Sequence, residues 1–185
     1  HLVNHQSDVS GLWRVQILPP ALVARMLVRM AYEVLERNRC GAGLVVVGIQ
    51  RKGVSVAENL AALLEQVEGQ SFPVNVLDVR PYRDDRDPSL AIEDTSRFQV
   101  DTLTARHVLL VDDVLFTGRT VRAALEALLR LGRPRSVQLA VLIDRGHREF
   151  PIRADYVGRQ VPTKYTERIV VVPEEELSVY IEEPL

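Results

Sequence analysis

Three apolar runs constrain the fold most: "GLVVVGI" at 43–49, "VLLV" at 108–111 and "SVQLAVLI" at 136–143. A strand with one wet face alternates apolar and polar residues, whereas "GLVVVGI" carries no polar side chain on either face. That pattern belongs to a strand covered on both sides. Helical patterns lie between the runs. Pro19 and Pro20 suit a helix start, and Leu22, Met26, Met30 and Val34 recur at helical spacing, with Arg25, Arg29, Tyr32 and Glu36 on another face. Val56, Leu60, Leu63, Leu64 and Val67 mark a second helix ending near Gly69. A third is expected from about Arg119 to Leu131, stopped by "LGRP". "PVNVLDV" at 73–79 reads as a further strand, with short strands around Ile169–Val172 and Val179–Ile181. Such alternation predicts an α/β fold, a doubly wound and mostly parallel sheet. Ligands bind such sheets at the carboxyl ends of the strands, here residues 50–53, 112–120 and 144–153.

The 185 residues suit a single domain, expected over 14–185 after a loosely held arm at 1–13. Residues 81–105 are polar, hold two prolines and show no period, so they read as a long excursion from the core. No apolar run approaches the roughly 20 residues that span a bilayer, and no secretory signal pattern opens the chain, so no membrane partner is expected. Cys40 is the single cysteine, which excludes an internal disulfide framework and a multi-thiolate metal site and points to a reducing cytoplasm. With a net charge of −2, any contact to nucleic acid must come from a local basic patch.

"VLLVDDVLFTGRTV" at 108–121 carries the chemistry. Asp112 and Asp113 repel each other unless a cation or a hydroxyl-rich ligand is shared between them. A sugar diol with Mg²⁺ fits, because carboxylates accept hydroxyl protons and hard cations prefer oxygen. "TGRT" then brings the Thr117 and Thr120 hydroxyls and several backbone N–H groups to a helix start, where Gly118 permits close approach. A diol grip beside a phosphate cradle describes a ribose 5-phosphate site. A Walker B reading lacks its G-x-x-x-x-G-K-[ST] partner. A dinucleotide fingerprint fails because the glycines of "GAGLVVVG" precede the strand. His107, before a strand, reads as structural, and Cys40 as a bystander thiol.

The apolar strand, acidic pair and T-G-x-T resemble the signature of the type I phosphoribosyltransferases. "YRDD", "VDDVLFTGRTVRAAL" and "DRGHREFPIRADYVGRQVPT" are similar to one branch, the pyrimidine operon attenuators that are also uracil phosphoribosyltransferases. The likeness runs from about Leu22 to the C-terminus. It implies the type I fold, with a small hood and a flexible lid at 81–105. It also implies Mg²⁺, phosphoribosyl pyrophosphate, uracil and UMP as ligands, and a homodimer or higher homo-oligomer. By the same resemblance Asp112 and Asp113 hold the ribose hydroxyls, with Mg²⁺ bridging mostly through substrate and water. Val114, Leu115, Phe116, Thr117, Gly118, Arg119 and Thr120 form the nucleotide loop, Arg51 and Lys52 the pyrophosphate loop, and Arg145 sits against the pyrimidine. Two residues depart from the pattern: Lys52 stands where arginine is usual and Phe116 where tyrosine is common. Phe116 also replaces the acid that purine enzymes place after Leu115, which makes a purine or orotate substrate the weaker alternative.

Arg148, Arg153 and Arg159, with His147, make a dense basic segment, which Arg25 and Arg29 of the first helix could extend. Solvated loop charge and internal ion pairs are one reading. An RNA-binding surface is the other, and the resemblance favours it, implying a leader-mRNA hairpin as partner and UMP-responsive attenuation of transcription. Val28 and Tyr32 stand where those attenuators carry threonine and histidine, so a transferase without RNA regulation stays open.

Overall fold

The computed structural model describes residues 11–184. Five parallel strands form the main sheet in the order β3-β2-β4-β5-β6: β2 (Leu44–Ile49), β3 (Val74–Leu77), β4 (His107–Leu115), β5 (Ser136–Asp144) and β6 (Tyr156–Gln160). The apolar runs divide by parity, as burial on both faces requires. Val46, Leu109, Val111, Ala140 and Leu142 pack with Met26, Met30 and Val34 of α1 (Pro20–Arg37) and Val56, Leu60 and Leu64 of α2 (Lys52–Glu68). Val45, Val47, Val108, Leu110, Leu139 and Val141 pack instead with Val121, Ala124 and Leu128 of α3 (Arg119–Leu129). The sheet is doubly wound, and no helix is long and apolar enough to cross a membrane among the described residues.

Three features differ from expectation. First, the arm expected at 1–13 ends earlier: Leu12 and Trp13 already belong to β1 (Leu12–Leu18), paired with Pro184 and Glu183 of β8 (Ser178–Pro184). Residues 1–10 lie outside the described residues. β1, β8 and β7 (Arg168–Val172) make a second, antiparallel sheet from the two chain ends, and its Leu18, Val171 and Val179 join the core beneath α1. Second, β4 does not stop before the acidic pair. It continues through Asp112, opposite Val141, to Leu115, opposite Asp144, so the aspartates stand on a paired strand rather than in a turn. Third, "YVGRQ" at 156–160 is the edge strand β6.

The 81–105 segment carries no strand of the small sheet, but it is tied to the main one. Val76 and Arg97 exchange both backbone hydrogen bonds at 2.8 Å, and the Gln99 N–H donates to Asn75 Oδ1 at 2.7 Å. These contacts cover the otherwise open edge of β3. The knot is Asp78, buried beyond the end of β3. Its carboxylate accepts from Arg80 Nε and Nη2 at 3.0 and 2.8 Å and from the Thr95 N–H and Oγ1 at 3.1 and 3.0 Å. The side-chain amide of Gln50 lies 3.2 Å from the same Thr95 hydroxyl. The segment is thereby bound to the loop that leaves β2.

The Arg80 guanidinium, helped by the Thr95 hydrogen bonds, holds the Asp78 carboxyl well below the usual carboxylate range. A carboxylate with a depressed folded pKa adds stability that is fully present above its unfolded pKa and lost as pH falls through the folded value. Asp78→Asn should therefore lower unfolding free energy at pH 7 by about 2 kcal/mol. The gap between the variant and the parent should narrow below about pH 4, the unfolded carboxylate value. Denaturant titrations at pH 7 and pH 3 check both statements.

Candidate active site

The carboxyl ends of β2, β4 and β5 bring the three expected elements together. At the centre is Asp112, only 7% exposed, whose Oδ1 accepts the Asp113 N–H at 2.8 Å. Burial pushes the Asp112 carboxyl well above the usual carboxylate range, and the adjacent Asp113 charge pushes it further. Asp113 is half-buried and accepts the Val114 N–H at 2.8 Å. Gly53, in the first turn of α2, closes over this pair from the β2 side. A Cβ there would lie 2.8 Å from Val111 O and 3.0 Å from Asp112 Oδ1, so only glycine fits without movement.

The 116–120 loop carries the chain from β4 into α3. Gly118 adopts φ +90°, and a Cβ on it would meet Ile152 at 3.0 Å. Thr117 O accepts the N–H groups of Glu149 and Phe150 at 2.9 and 3.0 Å, which clamps the loop to the segment after β5. The first-turn N–H groups of α3 face this loop without intrahelical acceptors, and the positive end of the helix dipole adds to their pull on an anion. Thr117 Oγ1 accepts one of them, the Arg119 N–H, at 3.3 Å. Thr120 Oγ1 is met by Arg83 at 3.1 Å, a residue sequence reasoning missed. The Arg119 guanidinium turns outward to Glu149 and Asp84 at 2.7 and 2.6 Å. Only its backbone remains for a cradle.

After β5, residues Asp144–Arg148 line a cleft of about 380 Å³ with Gln160, Pro162 and Thr163. Arg145 is 6% exposed and lies 3.9 Å over the Phe116 ring. It donates to Thr163 Oγ1 at 3.1 Å and to the Lys164 and Tyr165 carbonyls at 3.0 and 3.3 Å. Burial without a carboxylate in bonding contact draws its pKa below the ordinary guanidinium value. His147 Nε2 sits 2.6 Å from Thr163 O and must donate, because a carbonyl can only accept. Its ring meets Phe116 and Tyr165 at centroid distances of 5.8 and 5.7 Å. Tyr165 and Thr163 lie in the connection from β6 to β7; Thr163 closes the "DRGHREFPIRADYVGRQVPT" stretch, whereas no motif in the sequence marks Tyr165.

Arg51 precedes α2 and Lys52 opens it, both exposed. The Gln50–Arg51 peptide is cis. Arg51 lines a cavity of about 510 Å³ together with Gln50, Thr95 and Arg97, and Arg97 is a second cation the sequence did not single out.

The basic segment separates into two groups. Arg148 is turned inward: its guanidinium donates to Ile152 O at 2.8 Å, Phe116 O at 2.7 Å and Asp144 Oδ2 at 2.6 Å. That leaves it bracing the cleft rather than offering a free cation. Arg29 is engaged by Glu33 and by Gly158 O, both at 2.5 Å, which ties α1 to β6. Arg25, Arg153 and Arg159 are exposed and make no side-chain hydrogen bond or ion pair among the described residues. β6 carries Arg159 beside α1, so Arg25 and Arg159 belong to adjacent elements.

Comparison with known proteins follows the same lines. Residues 16–176 match the phosphoribosyl transferase domain. A protein of Lactococcus lactis subsp. cremoris named bifunctional protein PyrR is 49% identical over 158 residues, 85% of this chain and 89% of that protein. Another of that name, from Pelotomaculum thermopropionicum, is 51% identical over 160 residues, 85% of this chain and 88% of its own. Among solved structures, the hypoxanthine phosphoribosyltransferase of Trypanosoma cruzi superposes with a TM-score of 0.70 at 17% identity, over 92% of this chain and 97% of that one. That likeness concerns the fold. The paired acids on β4, the glycine closed against them and the loop clamped at the start of α3 thus stand in a chain that belongs to the phosphoribosyltransferase family, in the branch of the bifunctional PyrR proteins.

Proposed function

We propose that this chain transfers the phosphoribosyl group of phosphoribosyl pyrophosphate to uracil, giving UMP and pyrophosphate, and that UMP couples this site to a pyrimidine leader RNA. The observation that carries the first part is the Asp112–Asp113 pair, fixed at the end of β4 between the start of α3 and the loop at Arg51–Gly53. A ribose diol donates its hydroxyl protons to the two carboxylates and relieves their repulsion. The 5-phosphate takes the N–H groups at the start of α3. The diphosphate lies toward Arg51 and Lys52, and the pyrimidine enters the cleft at Asp144–Thr163.

The glycosidic nitrogen displaces diphosphate from the anomeric carbon through an oxocarbenium-like state, which negative carboxylates beside the ribose stabilise. No group of three acidic, histidine or cysteine side chains gathers to hold a metal among the described residues. Two carboxylates suit Mg²⁺ whose remaining ligands are substrate oxygens and water. When bound, Mg²⁺ would neutralise the leaving diphosphate. The cleft holds two candidate acceptors for the uracil proton: Asp144, which is paired with Arg148, and Nδ1 of His147, left with its lone pair when Nε2 donates to Thr163 O. The buried Arg145 cation favours the imide anion of uracil as its ring proton passes to one of these acceptors or to water.

The regulatory part rests on Arg25, Arg153 and Arg159 with the exposed Tyr32, which can stack an unpaired base. A transferase without RNA regulation remains the second reading. It is favoured by the inward bonding of Arg148 and Arg29 and by the 42% exposed Val28 on the same helix face.

Asp113→Asn should lower kcat for Mg²⁺-dependent UMP formation on the order of 10²-fold or more. Wild-type kcat/KM in that variant removes the acidic pair from the mechanism. For the regulatory part, UMP should tighten binding of a leader hairpin, and the hairpin should tighten UMP binding by the same factor. Arg25→Ala and Arg159→Ala should each flatten the salt dependence of RNA binding by about one unit per lost phosphate contact. Hairpin affinity that ignores UMP selects the second reading.

A further inference from the structure

The opposite end of the sheet holds a feature the transfer reaction does not use. β2, β4 and β5 begin in register, Leu44 beside His107 and His107 beside Ser136. Around these starts lies a cavity of about 500 Å³, bordered by Arg39 and Arg135 and floored by Asn38, His107, Ser136 and Gln138. That volume falls in the range of small-molecule sites. Asp112 and Asp113 lie five and six residues beyond His107 on β4, which at about 3.3 Å each puts the cavity floor roughly 17–20 Å from the acidic pair.

The cavity lining carries arginines and no acidic side chain. Arg37, also on the border, is paired with Asp155 at 3.0 Å, and that carboxylate also accepts the Leu139 N–H at 2.8 Å. Arg39 and Arg135 make no side-chain hydrogen bond or ion pair among the described residues, nor do the flanking Arg106 and Arg133. Two unpaired guanidinium groups, Arg39 and Arg135, thus line the cavity in a chain of net charge −2. Like charges gathered without counter-charge favour an anionic occupant.

The floor supplies neutral donors. His107 Nδ1 lies 2.6 Å from Ser136 Oγ. With Nδ1 accepting the hydroxyl proton, the ring carries its own proton on Nε2 and can donate it to a ligand. If the ring donates at Nδ1, the Ser136 hydroxyl proton is released for the same purpose. Either tautomer leaves one donor between two arginine forks, the geometry that suits phosphate oxygens.

We propose that this cavity is a second anion site, specific for a phosphoryl or diphosphate group of a small phosphorylated ligand, held by Arg39 and Arg135 and by the His107–Ser136 pair. It is separate from the catalytic pyrophosphate loop and would let a phosphorylated metabolite bind while the reaction end is occupied.

Equilibrium dialysis of the full chain with radiolabelled pyrophosphate tests the assignment. The wild type should bind two per chain. Arg39→Ala/Arg135→Ala should keep only the site that Lys52→Ala weakens, and Lys52→Ala should keep only the site that the arginine pair forms. His107→Gln, which leaves both arginines, should weaken the second site at least tenfold, while uracil-dependent turnover stays at the wild-type rate in both distal variants. One pyrophosphate per chain in the wild type, lost only in Lys52→Ala, overturns the proposal. So does a second site untouched by the arginine pair. A double variant that loses leader-RNA affinity but keeps both pyrophosphates would reassign the patch to nucleic acid and overturn the small-ligand site as well.

Discussion

The architecture turns on a carboxylate buried where it should not ionise. β4 is covered on both faces and paired on both edges, so Asp112 cannot swing to solvent without breaking its register with Val141. Asp113 adds a second negative charge one residue later. An unliganded chain carries this arrangement at a cost in stability, and a ligand rich in hydroxyls and accompanied by a cation relieves it. Substrate binding and relief of that strain are then the same event. The neighbouring elements fit this view: Gly53 closes one side and the Gly118 loop the other, both at distances a side chain would obstruct.

Arginine does much of the holding. Arg148 joins Phe116, Ile152 and Asp144, Arg83 joins Asp85 and Thr120, and Arg119 joins Asp84 and Glu149. Each links an element of the site to the loop beside it. Exposed ion pairs contribute roughly 0–1 kcal/mol apiece, so their value lies more in fixing loop positions than in stability. The basic character of residues 144–159 is therefore partly spent inside the molecule, and the residual surface charge sits on Arg153 and Arg159.

Much of this was legible in the residues. Uninterrupted apolar runs gave β2, β4 and β5, helical spacing gave the three helices, and the acid pair with T-G-R-T marked the end of β4 and the start of α3, the elements proposed to take ribose and phosphate. What escaped depended on partners far away in sequence. β1 exists through pairing with β8 at the other chain end, and β6 through pairing with β5, while Gly158 lets Met26 of α1 pack close. Arg148 read as an available cation because its acceptors are mostly backbone carbonyls, which leave no trace in side-chain patterns. Tyr165 is held beside the cleft by Arg145, which binds the carbonyls of its loop, and by ring contacts with Phe116 and His147.

In the proposed function the diol grip and the diphosphate loop act as one unit, joined where Gly53 comes against Asp112. Gly53→Ala tests it most directly, because the new methyl would press on Val111 O and Asp112 without removing a charge or a hydrogen-bonding side chain. Steady-state UMP synthesis should show kcat/KM for phosphoribosyl pyrophosphate reduced on the order of 10²-fold, with circular dichroism unchanged. Wild-type kcat/KM in Gly53→Ala would show that the two elements work independently.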